Sequence, residues 1–140
     1  MAQLESGKAE RGSVLNFEIK TYQVYLASRI ALSGVPQDAY ATIECKGANG
    51  ETLLLHFMHE SDTLPENEFN PRMKEGTCYA PAQNYPWFVD LLRNERPVYG
   101  YMNRVTPQWN RIHTGAEPVG EGEKAPEART MVVQGTPMRR

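Results

Sequence analysis

Cysteine is scarce in this chain, with only Cys45 and Cys78 in 140 residues. Two are too few for the disulfide framework of a small secreted domain. No Asn-x-Ser/Thr acceptor for N-glycosylation occurs. Long apolar runs are missing as well. Stretches such as Leu53–Leu54–Leu55 fall far short of the roughly 20 residues that cross a bilayer as a helix. Residues 1–13 carry both charge signs and no apolar centre, so they do not read as a secretory signal. These absences point to a cytoplasmic protein with reduced thiols and no membrane partner.

An excess of either charge is also lacking. The chain has 15 basic and 17 acidic residues, a net charge of −2. No global field draws in nucleic acid or an anionic surface. No internal repeat is visible, which sets aside solenoids and propellers.

The enzyme signatures are absent too. Ser28, Ser33 and Ser61 lack a Gly-x-Ser-x-Gly elbow, and Cys78 precedes Tyr79-Ala80-Pro81 without one. Gly120-Glu121-Gly122-Glu123 has no following Lys-Ser/Thr, and its carboxylates repel phosphate. Cys45, His56, His59, Cys78 and His113 form no zinc-ligand spacing. On a strand, His56 and His59 point to opposite faces. Two buried thiols and surface histidines are therefore expected, with no metal and no cofactor. Glu60, Asp62, Glu66 and Glu68 bring four carboxylates close together without the pattern of a calcium loop. A solvated loop is the reading adopted.

What is present suits one domain. Hydrophobic residues make up 40% of the chain, and 11 Gly with 10 Pro point to many turns. All aromatic residues lie between Phe17 and Trp109. The expected organisation is a disordered arm over 1–13, a single β-rich domain over 14–115 and a largely disordered tail over 116–140. The tail has too little apolar area to offset the entropy of ordering. Met131-Val132-Val133 is its one apolar patch, suited to a late strand or a contact with another subunit.

Alternation with period two dominates the domain. Leu15, Phe17 and Ile19 alternate with polar residues. The phase then flips to Tyr22, Val24 and Leu26, which requires a bend near Lys20-Thr21. Residues 26–33 also fit a helix stopped by Gly34, and strand is favoured.

Residues 39–46 and 51–58 predict a hairpin. A three-residue loop with a left-handed Gly50 sets Ala41, Ile43 and Cys45 against Phe57, Leu55 and Leu53. That register makes one wholly apolar face. Tyr40, Thr42, Glu44, Lys46, Thr52, Leu54, His56 and Met58 fall on the other. Phe57→Ala is then expected to cost about 3–5 kcal/mol, and His56→Ala little.

Residues 60–77 read as a long polar loop of the kind that carries function. Residues 85–94 predict a helix with Pro86 in its first turn and Phe88, Leu91 and Leu92 buried. Residues 98–103 and 109–114 predict a last hairpin. The expected fold is mainly β, a small antiparallel barrel or sandwich with one helix near 85–94. Its element order is like that of an OB-fold, an analogy of order that rests on no motif.

One constellation has a coherent mechanism. Tyr99 and Tyr101 share a strand face, Trp109 begins the next strand, and Arg104 and Arg111 lie near. Tyr40 and His56 stand on the exposed face of the first hairpin. Aromatics interleaved with arginine stack bases or sugars. These seven residues are the candidate ligand-binding set, and no catalytic residue is assigned. The leading functional expectation is a non-enzymatic binding or self-assembly module. The alternatives are a weak single-stranded nucleic-acid or oligosaccharide binder, and an enzyme with a site near the 60–77 loop.

Overall fold

The phase flip near residue 20 divides the N-terminal run between two sheets. The computed structural model describes residues 12–59 and 63–120. The arm to residue 11, the tail beyond 120 with Met131-Val132-Val133, and Glu60 and Asp62 of the carboxylate group lie outside the described residues. The strands are β1 (Val14–Glu18), β2 (Thr21–Ile30), β3 (Ala39–Lys46), β4 (Thr52–Met58), β5 (Phe69–Asn70), β6 (Glu75–Pro81), β7 (Tyr99–Asn103) and β8 (Arg111–His113). Helix α1 spans Tyr85–Asn94.

A three-stranded sheet runs β1-β7-β8, and a five-stranded sheet runs β2-β3-β4-β6-β5. The break at Ile19-Lys20 is where the chain leaves one sheet for the other. Ile19 N–H bonds the Val98 carbonyl at 2.8 Å, and Lys20 N–H bonds the Lys46 carbonyl at 2.8 Å. The expected bend is therefore present, and residues 26–30 are strand.

The hairpin register is the expected one. Ala41, Ile43 and Cys45 pair with Phe57, Leu55 and Leu53, and all six are buried. Gly50 closes the loop with φ +87°, a conformation costly for any residue with a Cβ. The cores of the two sheets are one. Phe17 and Met102 from the small sheet pack with Ile43, Leu53, Leu55, Phe57, Cys78 and Ala80 from the large one. Phe17 lies across Gly100, where an added Cβ would come within 2.7 Å of its ring. Helix α1 covers the core, with Phe57 meeting Tyr85 and Phe88 edge to face at 5.3 and 5.0 Å. Leu92 is buried, and Leu91 and Phe88 pack against the core. The helix is borne out at its expected bounds.

Three expectations are corrected. Residues 60–77 are not one long loop. Phe69–Asn70 and Glu75–Pro81 are strands, and β6 runs parallel to β4 from Thr52↔Glu75 to Met58↔Pro81. A parallel neighbour needs a crossover connection of a dozen or more residues, and residues 59–74 supply it. Six strands consequently precede the helix, where one bent first strand and the 39–46 and 51–58 hairpin were expected.

Met58 is fully buried instead of exposed. Strand β4 pairs with β6 without interruption through Met58↔Pro81, so Met58 keeps to the face of Leu54 and His56, outside the core cluster. That face is covered where a bulge between Ala39 and Ala41 disturbs the neighbouring strand. Trp109 does not begin a strand either. It ends a single 3₁₀ turn, Pro107–Trp109, and β8 starts at Arg111.

Candidate functional site

The outer face of the small sheet follows from strand alternation. Leu15, Phe17, Gly100 and Met102 point to the core, so Asn16, Tyr99 and Tyr101 point away. Pairing sets Tyr101 beside Arg111 and Tyr99 beside His113. The Arg111 guanidinium lies over the Tyr101 ring, 4.2 Å from its centroid, a cation–π arrangement. The Tyr99 ring stacks on His113 at 5.4 Å and 26°. His113 Nε2 donates to Asn16 Oδ1 at 2.8 Å, while its Nδ1 accepts from Gly115 N–H at 3.1 Å. This pattern holds the neutral imidazole. Burial and then the Arg111 charge lower the pKa of His113 below its ordinary value, in the same sense.

Four of the seven expected ligand residues, Tyr99, Tyr101, Arg111 and Trp109, meet on or beside this sheet. Trp109 is 55% exposed, and its carbonyl accepts from Arg111. Arg104 is exposed after β7, and its N–H bonds the Ser13 carbonyl. Tyr40 and His56 belong to the other sheet. Tyr40 packs edge to face on Tyr85 and His59, both at 6.2 Å.

His56 is the larger departure. It was expected at the surface, and it is only 6% exposed. It sits on the outer side of β4, the central strand of five. Its Nδ1 is 2.9 Å from the Thr42 hydroxyl, and its ring lies against Tyr79 at 5.2 Å. Burial pushes its pKa down from 6.5 to about 4. Tyr79 comes from β6, the strand the sequence did not announce. The far end of β2 and Leu32 complete the surround, leaving a groove of about 510 Å³ lined by Val24, Tyr25, Leu26, Ala27, Ile30, Leu32, Thr42 and His56.

Strand β2 is itself unusual. It is ten residues long, lies at the edge of the large sheet and is mostly exposed. Tyr22, Tyr25 and Leu26 are 36%, 45% and 58% exposed. Edge strands are normally guarded by lysine, proline or brevity. Residues 21–28 contain neither a charge nor a proline. Arg29 is the charge in this strand, and it is held by Asp38 at 3.0 Å.

The basic side chains that a nucleic-acid groove would use are partly committed. Lys20 pairs with Glu18 and Lys46 with Glu44, at 3.2 and 3.6 Å. The polar groups of the 63–77 segment hold the fold together. Asn67 Oδ1 accepts from Tyr79 N–H at 2.7 Å, and its amide donates to the Pro107 carbonyl at 3.0 Å. Buried Asn110 donates to the Glu68 and Thr77 carbonyls at 3.0 and 2.8 Å and accepts from Asn103 N–H at 2.8 Å. Sequence reading passed over Asn110, because an asparagine between a turn and a strand has no signature distinguishing this role.

Cys45 and Cys78 are buried thiols. Burial first, and then neighbouring Cys78 and Glu44, push Cys45 up to about 12. Burial puts Cys78 at about 11. Neither is a thiolate nucleophile at neutral pH. Among the described residues, no three His, Cys, Asp or Glu side chains gather as a metal site. No helix among them is long and apolar enough to cross a membrane.

Fold and surface thus define a mainly β protein of two sheets around one core. No family model, curated protein or solved structure matches the chain.

Proposed function

We propose that this protein is a non-enzymatic binding or self-assembly module, and that β2 is the element through which it engages a partner. The observation that carries this reading is the unguarded edge. One side of β2 pairs with β3, and the other has no neighbouring strand among the described residues. An exposed edge recruits a further strand by backbone hydrogen bonds, with side chains on alternate positions supplying selectivity. A second copy of this chain is the partner favoured. Two β2 strands running antiparallel about a two-fold axis set no like charges against each other across residues 21–28. Tyr22, Tyr25 and Leu26 then gain cover. Such an interface is isologous, as in most homodimers.

The test is sedimentation velocity of the full chain across a micromolar range, alongside Gln23→Lys/Ser28→Lys. Both positions are exposed, so the added charges guard the edge without entering the core. A concentration-dependent dimer that the double variant loses supports the reading. A wild-type monomer throughout, or a dimer indifferent to the charges, sinks it.

The Tyr101, Arg111 and Trp109 face supports a second reading, the weak binding of single-stranded nucleic acid or oligosaccharide. Its open surface is Trp109, since Arg111 and His113 already lie on the Tyr101 and Tyr99 rings.

A further inference from the structure

The groove beside β2 has a composition unlike the rest of the surface. Tyr25, Leu26, Ala27, Ile30 and Leu32 form its sides, and Thr42 and His56 its polar floor. No charged residue lines it. Thr42 and His56 are 7% and 6% exposed, so the floor is largely dry. His56 Nδ1 is taken by the Thr42 hydroxyl at 2.9 Å. Its Nε2 has no hydrogen-bond partner among the described residues. A buried polar atom left unmatched is costly, and native structures rarely carry one without a reason. Apolar walls with one placed polar group are the usual build of a small-molecule site.

We propose that this groove binds a small neutral molecule, mostly apolar, with one hydrogen-bonding group that Nε2 of His56 recognises. Neutrality follows from the lining, since a charge placed there would meet no counter-charge. The Thr42 hydroxyl rotates, so it donates to Nδ1 or accepts from it. Nε2 correspondingly donates or accepts, and a hydroxyl on the ligand satisfies either state. The imidazole stays uncharged at neutral pH because burial lowers its pKa. The groove shares its Tyr25 and Leu26 walls with the edge proposed to pair, while its floor, Thr42 and His56, belongs to β3 and β4.

The experiment uses 1-hexanol as probe, with hexylammonium as its charged counterpart. Methyl and histidine-ring NMR spectra of the full chain are followed during titration. Saturable shifts confined to Leu26, Ile30, Leu32 and His56 Nε2, with hexylammonium at least about tenfold weaker, are expected. His56→Phe keeps the ring against Tyr79 but removes the polar atom, and affinity should fall about tenfold. Ala27→Trp fills the groove from an exposed position and should abolish the shifts even if His56→Phe does not fold. Gln23→Lys/Ser28→Lys leaves every lining residue in place and, as a monomer, should bind hexanol as the wild-type monomer does, which separates this site from the edge. Shifts that never saturate, equal binding of the charged probe, or binding that survives Ala27→Trp overturns the proposal.

Discussion

His56 makes the fold sensitive to mild acid, and the size of the effect follows from its surroundings. In the unfolded chain its imidazole titrates near 6.5, and in the folded chain at about 4. The cause is desolvation, since the ring lies between Thr42, Tyr79 and the groove wall with little access to water. Between these two values the unfolded chain holds a proton that the folded chain refuses. Stability attached to this residue is therefore complete above about pH 6.5 and is lost as pH falls toward 4. At 1.36 kcal/mol per pKa unit the loss amounts to roughly 3 kcal/mol, a large share of the 5–15 kcal/mol typical of a domain.

Urea melts of wild type and His56→Gln, at neutral pH and near pH 4, measure it. Glutamine pairs with Thr42 but does not titrate, so it removes only the proton linkage. Carboxylates and His113 shift both proteins alike and cancel in the difference. Wild type should lose about 3 kcal/mol more than the variant on acidification. Equal losses, or an NMR titration of His56 with its midpoint near 6.5, would refute the burial argument.

Asn110→Ala should cost roughly 2–3 kcal/mol, because it takes the acceptor from the Asn103 N–H and a donor from the Thr77 and Glu68 carbonyls, of which Glu68 keeps the Thr77 N–H; a change under 1 kcal/mol in chemical denaturation would show that water replaces them. Phe57→Ala should cost about 3–5 kcal/mol, since the ring is fully buried between two sheets and two rings of α1. Its urea midpoint should fall far below wild type with the slope unchanged, and an equal midpoint would put Phe57 outside the core.

Much of the architecture was legible locally. The β3–β4 register followed from Gly50 and from the requirement that one face be wholly apolar. Helix α1 followed from Pro86 and the spacing of Phe88, Leu91 and Leu92. The passage between sheets followed from the change of phase after Ile19. Each is a constraint within a dozen residues, where backbone geometry and side-chain period leave few alternatives. The candidate surface was legible to the same depth. Tyr99, Tyr101 and Arg111 meet because adjacent antiparallel strands bring alternate residues together.

Tertiary structure decided the rest. Strand β6 buries Gly76, Cys78 and Ala80, residues too small to announce a core face on their own. Their burial depends on β4 alongside and on Met102 from the other sheet, whose sulfur comes within 2.6 Å of where a Cβ on Gly76 would sit. Tyr79 arrives with that strand, and only then does His56 leave the surface. Met58 is buried on the same face as His56, and its place along β4 does not reveal that this face is covered. Asn110 acquires its role only when residues 68, 77 and 103 converge on it. A hydrophobic period records which way a side chain points along its own strand. Whether that direction leads to water or to another element depends on what the distant chain places there.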